Sequence, residues 1–322
     1  MKIFITGGAG FIGSHLAERI LDRGDRVLLL DDLSTGSMRN IEHLVGREGF
    51  EYRIGSALDV PLVTECVDRC DATVHLAAAV GVRLIVERPV HTIHTNIGAT
   101  EAVLTAASKK GKLVLLASTS EVYGKSNKIP FAEGDDLQLG PTSHSRWAYA
   151  CSKAMDEWLG FAYTRERGVP VIVVRFFNTV GPRQTGQYGM VLPSFAAQAI
   201  AGTPITVFGN GTQQRCFGHV HDAVESLLRL LATPSAVGQV FNIGSDEEVS
   251  MLGLAEQVRD AAGSSSEIKL IPYSEAYPEG FEDMMRRVPD VSKLERTINF
   301  RPRIRLSQII ADVIADQRSR VT

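Results

Sequence analysis

Thr6-Gly7-Gly8-Ala9-Gly10-Phe11-Ile12-Gly13 decides how the rest of this chain is read. The stretch follows a short apolar run at residues 3–6 and opens a helical pattern at 13–23. It contains Gly7-x-x-Gly10-x-x-Gly13 and, overlapping it, Gly8-x-Gly10-x-x-Gly13. A strand that turns through glycines into a helix gains the positive φ the turn needs. It also gains close approach of the backbone to a pyrophosphate and tight packing of helix on strand. The helix N-terminus then presents unpaired N–H groups and about half a positive charge to the phosphates. Taken alone, such glycines also make a tight turn without any ligand. Context sharpens the reading: residues 26–30 form a second apolar run that ends at Asp31-Asp32, with Asp31 18 residues past Gly13. A carboxylate there accepts from the adenine-ribose hydroxyls and repels a 2′-phosphate, so the expected cofactor is NAD rather than NADP.

Outward from the loop, apolar runs at 3–6, 26–30, 73–76, 113–117 and 171–176 read as buried strands. Helical patterns lie at 13–23, 60–69, 93–109 and 148–167. This alternation predicts an α/β fold, a Rossmann-type doubly wound parallel sheet covered on both faces by right-handed crossovers. Beyond about residue 178 the rhythm breaks at Gly181-Pro182 and Gly209-Asn210-Gly211. Helices are expected there at 192–201, 219–232, 250–262 and 306–318, with a strand at 240–243. The expected organisation is an NAD-binding half, 1–178 with a returning segment at about 216–245. A smaller C-terminal lobe, about 179–215 and 246–322, closes over the sheet and takes the substrate.

Composition narrows the function. Of the 322 residues, 44% are hydrophobic and 22% charged, as in ordinary globular proteins. Lys and Arg total 34 against 37 for Asp and Glu, a net charge of -3, which argues against nucleic-acid binding. The cysteines, Cys66, Cys70, Cys151 and Cys216, lack the Cys-x-x-Cys spacing of metal or redox pairs, so free thiols and no metal are expected. No run is long and apolar enough for a membrane span, and the N-terminal apolar stretch is too short for a signal peptide. A cytoplasmic protein without membrane contact is expected.

Two clusters carry chemistry. Tyr149-Ala150-Cys151-Ser152-Lys153 puts a phenol and an ammonium at i and i+4, neighbours on one helix face. The cation favours the phenolate over a phenol whose ordinary pKa is about 10, and makes it a base for a sugar hydroxyl whose carbon gives up hydride. Upstream, Ser118-Thr119-Ser120-Glu121-Val122-Tyr123-Gly124 follows the predicted strand 113–117, where ligands bind in open α/β sheets. One of these hydroxyls is placed to share the proton of the reacting oxygen with Tyr149. Hydroxyls after strands also serve as turn and cap residues.

With these motifs in order, the chain resembles the extended short-chain dehydrogenases, in particular the NAD-dependent nucleotide-sugar epimerase/dehydratase family. The resemblance runs through TGGAGFIG (6–13), HLAA (75–78), Asn96, STSEVYG (118–124), YACSK (149–153), RFFN (175–178) and RRVPD (286–290). It implies transient oxidation at a sugar carbon with tightly held NAD. Tyr149 corresponds to the family base, Lys153 to its partner on the nicotinamide ribose, and Thr119 to the helping hydroxyl. Gly7, Gly10, Phe11, Ile12, Gly13, Asp31, Leu76, Ala77, Asn96 and Phe176 correspond to NAD contacts, with Asp32 beside them. Thr119, Ser120, Asn178, Val191, Arg215 and Arg287 correspond to substrate contacts, the two arginines gripping the diphosphate through planar forks that keep their charge. For Arg287, next to Arg286 in a charged stretch, a solvated face is the competing reading.

Some positions depart from the family pattern. Gly55-Ser56 stands where many relatives carry Gly-Asp, which leaves Asp59 as the substitute for an adenine contact. Glu121, in a Ser-Glu pair, resembles the dehydratases and glucuronate decarboxylases, and Arg146-Trp147 resembles the decarboxylating branch, whereas Gly181–Pro193 departs from the decarboxylase pattern. Arg183 is a candidate for a sugar carboxylate or a structural loop residue. The leading expectation is a UDP-sugar 4-epimerase, an isomerase acting on a UDP-hexose or UDP-hexuronate. A UDP-glucuronate decarboxylase, with Glu121 orienting substrate or handling protons, is the runner-up. An NDP-sugar 4,6-dehydratase and a catalytically silent NAD sensor complete the alternatives. The resemblance also implies a homodimer through the helices at 93–109 and 148–167.

Overall fold

Strands buried on both faces need uninterrupted apolar runs, and the central sheet forms where the chain supplies them. The computed structural model describes residues 1–186, 189–276 and 284–321. Its first half runs β1 (Lys2–Thr6), α1 (Phe11–Asp22), β2 (Arg26–Asp31), β3 (Phe50–Ile54), α2 (Val60–Asp68), β4 (Ala72–His75), α3 (Val82–Glu87), α4 (Pro89–Ser108), β5 (Leu113–Thr119), α5 (Arg146–Arg167) and β6 (Val171–Phe176). Next come β7 (Thr179–Val180), α6 (Val191–Ala201), β8 (Ile205–Phe208), β9 (Gln214–Cys216), β10 (Gly218–His219), α7 (Val220–Leu231) and β11 (Val240–Ile243). The chain closes with β12 (Glu248–Ser250), α8 (Met251–Ala261), β13 (Ile268–Ile271), α9 (Tyr273–Ala276), β14 (Arg286–Arg287), α10 (Ser292–Ile298) and α11 (Leu306–Val321).

Seven strands form one sheet in the order β11-β6-β5-β4-β1-β2-β3, and every pairing is parallel. The winding reverses between β1 and β4, whose register sets Thr6 opposite His75. The glycine loop after β1 and Leu76-Ala77 after β4 therefore leave the carboxyl edge side by side, and the crevice opens there. Side chains alternate across β1: Ile3 and Ile5 join Leu16, Ile20, Val224 and Leu227 under α1 and α7. Phe4 joins Val63, Val103, Ala107 and Val114 under α2 and α4 on the other face. A separate core of Leu192, Phe195, Leu254, Val258, Ile309 and Val313 holds α6, α8 and α11 together as the second lobe.

Three differences from the sequence reading have physical causes. β3 lacks an apolar run because it is an edge strand, half-exposed along FEYRI, with Glu51 bonded by Lys2 and Arg69. The short polar strands β9, β12 and β14 form a second three-stranded sheet that no periodicity announces. α10 falls in the stretch expected to belong to the substrate lobe, yet Leu294 and Ile298 pack into the core beneath α1 and α7. Among the described residues no helix is long and apolar enough to cross a membrane.

Candidate active site

The cleft of about 1350 Å³ runs along the carboxyl edge of the sheet, between it and the second lobe. At its floor the glycines fit their expected purposes. Gly7 sits at φ +68°, and a Cβ there would lie 2.8 Å from the Ala77 nitrogen, so this turn and the β4 exit tolerate only glycine. A Cβ on Gly13 would lie 2.3 Å from the Gly7 carbonyl oxygen and 2.8 Å from the Gly8 Cα. Gly10 is the N-cap of α1 with no side-chain cap bond, which leaves the first-turn N–H groups of the helix open toward the cleft. A dinucleotide's diphosphate fits this cradle: small, bare backbone at a helix N-terminus, with Phe11 and Ile12 beside it.

Replacing Gly13 by Ala forces the loop off the helix. We expect a loss of stability of about 1–3 kcal/mol together with loss of bound NAD, read by thermal melting and by the nicotinamide released on denaturation. An unchanged melting temperature with full NAD content would contradict this fit.

Asp31, at the end of β2, accepts from the Ala9 nitrogen at 2.9 Å and the Leu33 nitrogen at 2.8 Å. Burial pushes its carboxyl above the ordinary aspartate range, and these N–H bonds oppose that shift. The carboxylate thus staples the glycine loop to residues 33–36 while lining the cleft, as does the exposed Asp32. Asp59 does not take part. Its carboxylate caps α2 by accepting from the Leu62 nitrogen at 3.1 Å, and Ser56 lines the cleft without it. The expected substitution of Asp59 for the missing carboxylate is therefore corrected: a helix N-terminus has claimed the group.

Leu76, Ala77 and Phe176 line the cleft. Thr6 holds the first two, accepting from the Ala77 nitrogen at 3.2 Å with its hydroxyl 2.7 Å from His75 Nδ1. Asn96 lies behind the wall rather than in it. Fully buried, it accepts from the Ala79 nitrogen at 2.8 Å and donates to the Ser152 hydroxyl at 3.0 Å, which ties the β4 exit to the helix carrying Tyr149. Its amide shapes the cleft wall from behind.

Tyr149 and Lys153 both face the cleft from the first turns of α5, across from Thr119, Ser120 and Glu121 at the end of β5. Thr119 accepts from the Glu121 nitrogen at 3.3 Å and so starts the short turn over Ser120–Tyr123. Below, Ser118 bonds Glu157, which also takes Arg175 in a two-point pair at 2.9 and 2.6 Å. This buried network locks β5, β6 and α5 together, so Thr119, Tyr149 and Lys153 stand on rigid elements. The side chain of Arg146, singled out together with Trp147, lies outside the described residues.

On the opposite wall the parallel pairing of β9 with β14 sets Arg287 directly beside Arg215. Both are buried and line the cleft. The exposed neighbour is Arg286, engaged with Glu248 at 2.6 Å through both arms of its fork. The solvated-face reading therefore belongs to Arg286 and not to Arg287. Arg287 Nη1 lies 3.4 Å from the Ser120 hydroxyl and 3.8 Å from Glu121 Oε1, which joins the second lobe to the hydroxyl cluster. Asn178, at φ +33°, donates to the Cys216 carbonyl at 2.8 Å, and Val191 opens α6; both line the cleft. Arg183 is turned onto α1, donating to Glu18 at 2.6 Å, while its nitrogen bonds Asp316 of α11. These contacts favour the structural alternative, and Arg183 also lines the cleft.

A model of the NAD dependent epimerase/dehydratase family matches residues 3–244. The chain is 40% identical over 314 residues to a UDP-N-acetyl-alpha-D-glucosaminuronate decarboxylase of Bacillus cytotoxicus, across 97% of this chain and 96% of that one. It is 36% identical to UDP-glucuronic acid decarboxylase 1 of Arabidopsis thaliana, across 100% of this chain and 71% of that one. In three dimensions it is similar to the UDP-glucose 4-epimerase of Thermus thermophilus, solved in complex with NAD. That TM-score is 0.86, with 28% identity and 99% of both chains covered.

Proposed function

The chain belongs to the NAD dependent epimerase/dehydratase family and its cofactor is NAD; from that premise we propose that it decarboxylates a UDP-hexuronate. The observation that carries this reading is the meeting of Arg287 with Ser120 and Glu121 beside the Tyr149–Lys153 pair. The substrates named for the two decarboxylases, UDP-N-acetylglucosaminuronate and UDP-glucuronate, supply the substrate class. They shift the weight from the 4-epimerase expected first to its runner-up, although Gly181–Pro193 looked unlike the decarboxylases.

NAD in the glycine cradle supplies a hydride acceptor for the sugar carbon. The residues assigned to hold it are Gly7, Gly10, Phe11, Ile12, Gly13, Asp31, Asp32, Leu76, Ala77, Phe176, Tyr149 and Lys153, with Asn96 supporting the wall. Tyr149 takes the proton from the sugar O4 while Thr119 donates a hydrogen bond to the same oxygen. The ketone that results at C4 stands β to the C6 carboxylate, so the C5–C6 bond breaks with its electron pair moving into the enolate and carbon dioxide leaving. Arg287 offers its planar fork to that carboxylate and to the negative charge that develops after it leaves. Glu121, next to Arg287, is placed to pass the proton that C5 then takes up. The C4 carbonyl of the shortened sugar then takes back the hydride it gave up while Tyr149 returns its proton to O4, so the product is a UDP-pentose and no net oxidation remains. Arg215, Asn178 and Val191 face the UDP portion.

Side-by-side incubation with UDP-glucuronate and UDP-glucose tests the reading. Chromatography of the nucleotide sugars is expected to show a UDP-pentose from the first and no change in the second. Conversion of UDP-glucose to UDP-galactose would restore the epimerase reading. The expected homodimer is proposed to use the α4–α5 face, where Met155 is 39% and Trp158 58% exposed. Trp158→Glu is expected to halve the sedimentation mass, and an unchanged mass would move the interface elsewhere.

A further inference from the structure

Tyr149, Lys153 and Asp156 stand at i, i+4 and i+7 of α5, and at about 100° per residue they fall within roughly 60° of one stripe. The first two face the cleft; the third lies a turn deeper. Lys153 is 3% and Asp156 1% exposed, and Lys153 Nζ donates to Asp156 Oδ2 at 2.6 Å. The other carboxylate oxygen, Oδ1, is buried too. A charge this deep stays in a fold only when it is matched. Arg175 is already matched by Glu157, so Asp156 belongs to the lysine.

The groups around the pair leave that match intact. From β4 comes His75, wholly buried and held neutral, its pKa lowered to about 3 by burial. From α4, Thr100 faces the Asp156 carboxyl, while His91, His94 and Glu101 are exposed. β6 brings Arg175 with its partner Glu157, and the turn after β5 brings Glu121 beside Arg287. α3 contributes the exposed Glu87. Burial raises the Asp156 carboxyl above the ordinary range while the lysine pulls it down.

We propose that Asp156 is a positioning residue for the reaction: it holds the Lys153 ammonium in register with Tyr149 and tempers the cation's pull on the phenol. The proposal rests on Tyr149 being the base. A bare lysine favours phenolate more strongly than a lysine paired with a carboxylate, because the second charge subtracts from the first at the phenol oxygen. Asp156→Asn keeps an acceptor for Nζ but removes the negative charge, so phenolate forms at lower pH.

The test is the ultraviolet titration of Tyr149 in NAD-loaded protein, isolated by subtracting the spectrum of the matching Tyr149→Phe variant. In D156N the midpoint is expected about one pH unit below that of the unsubstituted protein, with the acid limb of kcat moving alongside. D156E, which restores the charge, is expected to return both toward their original places. If D156N does not fold, D156S carries the same expected downward shift. Coincident midpoints in the folded variants would overturn the proposal and leave Asp156 a structural residue. Turnover by Y149F at the original rate would instead remove the base assignment, and the proposal with it.

Discussion

Tyr149→Phe is expected to keep NAD in the cleft and to lower kcat about a thousandfold or more, which corresponds to roughly 4 kcal/mol of barrier. The phenol is one of many groups around the cofactor. The glycine cradle, Asp31 and the Leu76–Ala77 turn all stay in place without its oxygen. What the variant loses is the proposed acceptor for the O4 proton, and Thr119 is not expected to replace it: its hydroxyl oxygen already accepts from the Glu121 nitrogen. Turnover is read with a saturating UDP-hexuronate, and bound nicotinamide is measured on the same preparation. A rate within tenfold of the original would show that another group takes the proton.

The second large effect is expected at Arg287. Arg287→Gln removes the charge proposed to meet the sugar carboxylate, a cation that also lies 3.8 Å from Glu121. Carbon dioxide release is expected to fall at least about a hundredfold, or roughly 3 kcal/mol. Arg287→Lys is expected to recover little of it, because a point charge does not reproduce a two-armed fork. NAD content is expected to stay unchanged in both, since the cradle lies on the other lobe. An R287Q variant that loses only affinity for UDP, with decarboxylation intact at saturation, would return Arg287 to the diphosphate contact that the motif resemblance implied.

Much of this site is legible in the sequence because its parts are local. Gly7, Gly10 and Gly13 declare a strand-turn-helix within eight residues, and Tyr149 and Lys153 need only one helical turn to become neighbours. Arg287 was legible as a candidate but not as a buried one. Its environment depends on β14, a strand of two residues paired with the three residues of β9, and neither has an apolar pattern to read. Asp59 misled because a carboxylate near the right loop was also a good helix cap. The sequence alone does not decide between a carboxylate contact and a loop role for Arg183, because Glu18 and Asp316 approach it from distant parts of the chain. The edge strand β3 was silent for the same reason that exposed strands usually are: half its side chains meet water. Asp156 did have a signal, its place seven residues after Tyr149, but a deep carboxylate matters only once the lysine beside it is seen to be buried too.

The fate of one carboxyl group separates decarboxylation from epimerisation. Purified protein supplied with UDP-glucuronate, with trapped carbon dioxide and remaining nucleotide sugar measured together, tests the proposed decarboxylation most directly. One molecule of carbon dioxide for each molecule of substrate consumed, with a UDP-pentose as the product, is the predicted result. Substrate converted to a UDP-hexuronate of the same mass, with no gas released, would contradict it.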